Sequence, residues 1–110
     1  MANTFTRKLS RGVGTSLTAV GSYTVGASTD VTVIGLTVAN TTASQVLVDA
    51  TLNDGSNDTY IVKSAPVPAG SSLVIIGGDQ KVVLTTNDSI KVKSDTASSV
   101  DAVMSILEIT

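Results

Sequence analysis

The sequence predicts an all-β chain: a single-domain antiparallel β-sandwich, jelly-roll-like or Ig-like, of about eight short strands, with an extended N-terminal arm. Three observations carry this expectation. Val, Leu, Ile and Ala dominate the apolar set, Ser and Thr supply about a quarter of the residues, and aromatics are only 3%. Val and Thr are β-branched, so they lose rotamer freedom in helices and pack well on a pleated surface. Apolar residues also recur at a spacing of two in short segments, separated by clusters of Gly, Asn, Asp, Ser and Pro, the alternation of strands with turns. At 110 residues with no second compositional block, the chain is expected to hold one domain, with an arm over 1–14 and a sandwich over 15–110.

The arm comes first. It carries Arg7, Lys8 and Arg11 and no acid, whereas the rest of the chain has four basic and nine acidic residues. Such an arm suits the acidic surface of a neighbouring copy, with Phe5 and Leu9 as apolar anchors; the alternative is a solvated, mobile terminus. Strands are then expected over 17–25, 31–39, 46–52, 59–64, 72–76, 81–84, 89–93 and 100–109.

In the second of these, apolar parity shifts from Val31 and Val33 to Ile34, Leu36 and Val38, with Gly35 at the shift, which predicts a β-bulge. In the third, Val46, Val48, Ala50 and Leu52 share one face, leaving Leu47, Asp49 and Thr51 on the other. The run from Asn53 to Asp58 is rich in residues that accept positive φ or bond their own backbone, so it closes a hairpin. Pro66 and Pro68 bracket Val67 in an extended connection poor in ladder hydrogen bonds. Gly77-Gly78-Asp79 reads as a hairpin turn, since a phosphate-binding loop would need a lysine at fixed spacing and a following helix.

The last strand is apolar on both faces, with Val100, Ala102, Met104 and Ile106 on one and Val103, Leu107 and Ile109 on the other. A sandwich strand needs only one buried face. The second therefore meets another subunit, or is covered by further chain within the domain.

Composition excludes much chemistry. Cys, His and Trp are absent and Glu108 is the only glutamate, so a nucleophilic Ser or Thr would have to rely on Lys or a carboxylate as its base. No catalytic residue, cofactor, metal or small-molecule substrate is expected. Asp54, Asn57 and Asp58 have calcium-ligand chemistry, but these are also the residues a turn requires. Phe5, Tyr23 and Tyr60 are the only aromatic platforms for a sugar, and Tyr60 reads as a strand residue packing across a hairpin.

The arm's three cations on a net acidic chain make a weak phosphate footprint, so direct nucleic-acid binding is not expected. The charge-free stretches over 12–29 and 31–48 are broken by Thr, Ser, Gly, Asn and Gln, unlike a membrane-spanning helix of about 20 apolar residues. The N-terminus lacks the apolar core of a signal peptide. A soluble product made in the cytoplasm is expected.

The run Gly35-Leu36-Thr37-Val38-Ala39-Asn40-Thr41-Thr42, the hairpin into Tyr60-Ile61-Val62, Pro66-Val67-Pro68-Ala69-Gly70-Ser71-Ser72-Leu73, and Val83-Leu84 with Asn87-Asp88-Ser89-Ile90-Lys91-Val92 form one arrangement over about 15–110. It resembles the small β-sandwich virion proteins of tailed bacteriophages, particularly cyanophage-type structural proteins. The resemblance implies a non-enzymatic virion component, a capsid cement or decoration protein or a part of the neck or tail. It also implies a trimer or other cyclic oligomer, with major capsid or neck and tail proteins as partners. A glycan- or receptor-binding module on a fibre or tail is the alternative. The residues expected to carry interaction are Phe5, Arg7, Lys8, Leu9 and Arg11 in the arm and Val103, Leu107 and Ile109 in the last strand.

Overall fold

Alternating apolar residues fold this chain into two antiparallel sheets, described for residues 2–110 in a computed structural model. The strands are β1 (Asn3–Val13), β2 (Thr18–Ala19), β3 (Asp30–Asn40), β4 (Val46–Asn53), β5 (Asp58–Val67), β6 (Ser72–Ile76), β7 (Val82–Leu84), β8 (Ser89–Ser94) and β9 (Val100–Ile109). A short 3-10 turn, Val20–Ser22, follows β2. One sheet has the order β1-β9-β3-β6, with β7 also on β3, and the other has the order β2-β8-β4-β5.

The pairing is nested. The first strand pairs the last, the second pairs the eighth, the third pairs the sixth and seventh, and the fourth pairs the fifth. This is a long hairpin rolled into a two-layer sandwich, the jelly-roll alternative of the two expected. The layers meet over Val31, Val33, Leu36, Val38, Met104 and Ile106 from one sheet and Val46, Val48, Ala50, Ile90 and Val92 from the other, all essentially inaccessible to water. Fully burying an aliphatic side chain of this kind contributes about 1.5–3 kcal/mol, so this core is the main source of stability.

Buried polar side chains are all paired among the described residues. Asn40 is buried at the end of β3, donating from Nδ2 to the carbonyls of Ser44 (2.8 Å) and Val67 (2.9 Å) while its Oδ1 accepts the Thr42 N–H (2.9 Å). Asp49 accepts the Ser64 N–H at 2.6 Å and lies 3.7 Å from Lys93 Nζ. Ser64 has φ +54°, so the carboxylate holds β5 at a bulge where the β4–β5 register shifts.

The expected bulge at Gly35 is present as a register shift between Val33 and Gly35 on β9. It lets Val31 and Val33 face the core before the shift and Leu36 and Val38 after it. Four other local expectations are corrected. Residues 3–13 are not an arm leaving the body but strand β1, paired antiparallel with β9 of the same chain from Asn3↔Ile109 to Ser10↔Ala102. The polar residues Thr4, Thr6, Lys8 and Ser10 conceal this strand from a search for apolar alternation.

The strand expected over 17–25 shrinks to β2, because Gly21 (φ +62°) and Ser22 (φ +54°) are left-handed and turn the chain away from extension. Pro66 and Val67 do belong to the ladder, opposite Leu47 and Val46. β5 is an edge strand, where an imino nitrogen facing outward costs no bond. Gly77-Gly78-Asp79 does form a tight turn, closed by an antiparallel bridge in which the Gln80 N–H donates to the Gly77 carbonyl (3.2 Å). The strands on either side of it, β6 and β7, lie end to end along β3 instead of pairing with each other. The segment between them is an excursion from one interrupted strand.

Candidate assembly surface

Strand β9 lies at the middle of its sheet, and its alternation divides the residues expected to interact from those that form the core. Val100, Ala102, Met104 and Ile106 are buried, while Val103 is exposed and Leu107 and Ile109 are half-buried. The register carries the same outward parity across the sheet. Phe5, Leu107, Thr32 and Val83 form one row, and Leu9, Val103, Thr37 and Val74 form a second. Of the seven large apolar residues exposed among the described residues, five lie in these rows: Phe5 (75%), Val74 (63%), Val83 (62%), Val103 (49%) and Leu9 (45%). Chance scatter would not place them on one face, and contiguous apolar rows rimmed by polar groups mark contact sites.

Between the rows runs a lower line of Arg7, Ser105 and Gly35. Small residues there leave a shallow depression of about 400 Å³ lined by Phe5, Thr6, Arg7, Ile34, Ser105 and Ile106. Ile109 lies opposite Asn3 on one side and Asp30 on the other, at the end of the face. The surface is thus two apolar ridges flanking a groove with one cation at its β1 end.

Two expected residues stand apart from it. Arg11 follows the last regular β1 pair and lines a separate notch with Leu9, Ser10, Gly12, Ala19 and Gly21. Lys8 has the opposite parity in β1, and its Nζ sits 4.6 Å from the centre of the Tyr23 ring. Tyr23 in turn donates from Oη to Glu108 Oε2 at 2.6 Å. Burial of the phenol, then the Glu108 hydrogen bond and charge, push the Tyr23 pKa well above its usual value. Lys8 and the single glutamate therefore belong to a link holding the 3-10 turn against β1 and β9. Gly21 permits this approach, because a Cβ there would lie 2.8 Å from Lys8 Cβ.

The hairpin carboxylates are occupied by the turn itself. Asp54 Oδ1 accepts the N–H groups of Ser56 (3.0 Å) and Asn57 (2.8 Å), which lower its pKa, Asn57 most strongly. Asp58 Oδ1 accepts from Thr51 Oγ1 (3.0 Å) and Asn53 Nδ2 (2.9 Å).

Sequence reasoning found the β1 and β9 members of the face and missed Ile34, Val74 and Val83. Val83 alternates with buried Leu84 and half-buried Val82 in a three-residue strand, too short to reveal which side faces out. Its place beside Thr32 depends on a pairing between distant strands.

No family model matches the chain, and no curated protein matches it. Solved structures do share its fold. A chain in the acidic stable capsid structure of Helicobacter pylori bacteriophage KHP30 superposes with a TM-score of 0.58 at 9% identity, covering 100% of this chain and 89% of that one. A chain of the Bacillus endospore appendages, described as a novel family of disulfide-linked pili, superposes with a TM-score of 0.56 at 15% identity, covering 100% of this chain and 91% of that one. At these identities the likeness is one of fold: a complete jelly-roll sandwich of this size is common to all three chains.

Proposed function

We propose that this chain is a non-enzymatic structural subunit of a phage virion, present in many copies, most plainly as a capsid cement or decoration protein on the head. The observation that carries the reading is the apolar outer face of the β1-β9-β3-β6/β7 sheet, where five large exposed apolar residues lie in two rows. A monomer gains nothing from such a face, whereas a repeated contact buries it. The phage capsid chain with the same fold supports the location, and the pilus chain supports repetitive assembly as a use of the fold. With no cysteine in the sequence, assembly here would not use the disulfides named for those pili.

Quantitative mass spectrometry of purified particles tests this reading. Copies on the order of hundreds per particle are expected for a head protein. A ring's worth of copies would move the chain to the neck or tail, and absence from particles would overturn a virion role.

A further inference from the structure

We propose that the free edge of β1 pairs with β1 of a second copy, antiparallel, about a two-fold axis at Phe5. This rests on the reading that the chain assembles with copies of itself, and it names the contact and its register.

The hydrogen-bond phase of the sheet defines the edge. Ala2 and Thr110 exchange both backbone bonds, Ala2 N–H to Thr110 O at 3.1 Å and Thr110 N–H to Ala2 O at 2.9 Å. The same register runs through Thr4↔Glu108, Thr6↔Ile106 and Lys8↔Met104. In an antiparallel ladder, residues alternate between facing one neighbour and facing the other. The even residues of β1 therefore bond β9, and the N–H and C=O groups of Asn3, Phe5 and Arg7 point out of the sheet. Leu9 shares that phase, but Gly21 packs against it, since a Cβ on Gly21 would lie 3.2 Å from the Leu9 nitrogen. The open stretch is thus Asn3 to Arg7.

Each other edge is blunted. β5 contains Pro66 and the Ser64 bulge, β2 has two residues, and β6 and β7 are interrupted between Ile76 and Val82. Proline, bulges and shortness are among the devices that keep edges from pairing, and edge charge is another. Over Asn3 to Arg7, β1 has no proline or bulge, its only charge is Arg7 at the end of the stretch, and Lys8, which could guard it, is turned toward Tyr23.

The stretch is also complementary to itself. Centred on Phe5, self-pairing sets Phe5 against Phe5 of the second copy and Arg7 against its Asn3, and brings Thr4 opposite its Thr6. Asn3, Phe5 and Arg7 then satisfy all their outward backbone groups. An aromatic pair and facing threonines are favourable cross-strand neighbours. The two Arg7 residues lie four positions apart along the strands, roughly 13 Å, beyond the screening length of about 8 Å at physiological salt. Centring on Arg7 would oppose the two arginines, and centring on Thr6 would require the covered Leu9 edge. The Phe5 register joins two sheets into one and places both copies' apolar rows on a continuous surface.

A cysteine-scanning experiment on the full chain tests the register. Directly opposed residues of a hydrogen-bonded pair have Cα atoms about 5.5 Å apart, within the roughly 4.4–6.8 Å that a disulfide spans. Phe5→Cys is therefore expected to lose its free thiol to a linked dimer on mild oxidation. Leu9→Cys is expected to stay reduced, because the two copies of that residue would be about 27 Å apart. In the unmodified protein, the Phe5 amide should become protected from hydrogen exchange as concentration rises. Oligomers that form without Phe5→Cys linkage, or with equal linkage at both positions, overturn the register and leave assembly standing. A chain that stays monomeric at high concentration overturns both.

Discussion

Asn40 is buried at 3% exposure, and its amide ties the end of β3 to the turn before β4 and to the end of β5. Removing it leaves the buried Val67 carbonyl and the part-buried Thr42 N–H short of a partner, and an unsatisfied buried group costs about 1–3 kcal/mol. Asn40→Ala is thus expected to lower unfolding stability by roughly 2–4 kcal/mol, measured by urea denaturation. The sequence does not mark this asparagine, which follows directly on the strand expected over 31–39, and only the return of β5 beside it reveals the role. Tyr23 has a similar history. Its neutral phenol is favoured in the folded chain by burial and by Glu108, so the folded state holds that proton more tightly than the unfolded state. Stability should be fully present below the ordinary tyrosine pKa of about 10 and decline as pH rises beyond it. Denaturation midpoints followed through alkaline pH should fall more steeply for the natural chain than for Tyr23→Phe.

Elements with an inward apolar row were legible, and those whose inward row is polar were not. β4 announces itself through Val46, Val48 and Ala50, and the turn before β5 through Asp54 and Gly55, whose φ of +101° suits glycine. β1 did not, because its sheet-facing partners come from β9, almost a chain length away, and its even positions are Thr, Lys and Ser. The element after β2 was misjudged for a different reason. Val20, Tyr23 and Val25 keep a strand-like composition, while the left-handed pair Gly21-Ser22 bends the segment so that it caps the sandwich edge. Gly21 is the point to test. Gly21→Ala must place a Cβ at φ +62° and 2.8 Å from Lys8 Cβ, so a loss of about 1–3 kcal/mol is expected in chemical denaturation.

At the scale of the molecule, the exposed residues in the outward rows of the β1-β9-β3-β6/β7 sheet contribute little to holding one copy together. Val83→Lys and Val103→Lys should therefore leave monomer stability within about 0.5 kcal/mol while reducing self-association in sedimentation velocity. Met104→Ala, on the opposite face of β9 and fully buried, should instead cost roughly 2–5 kcal/mol. The sandwich class could be read from alternation alone, but the shared face could not, because neighbours within it are joined by register rather than by sequence. The nested pairing has one more consequence, and it concerns time. The middle of the larger sheet is β9, the strand that leaves the ribosome last of the nine. Until it arrives, β1 and β3 have nothing between them, and β1 in particular waits with both edges open. Closure over such long sequence separations places folding in the slow range of small domains, milliseconds to seconds. During that interval neighbouring nascent chains compete with β9 for the edges of β1 and β3, so yield on refolding should fall with protein concentration well before the native fold is challenged.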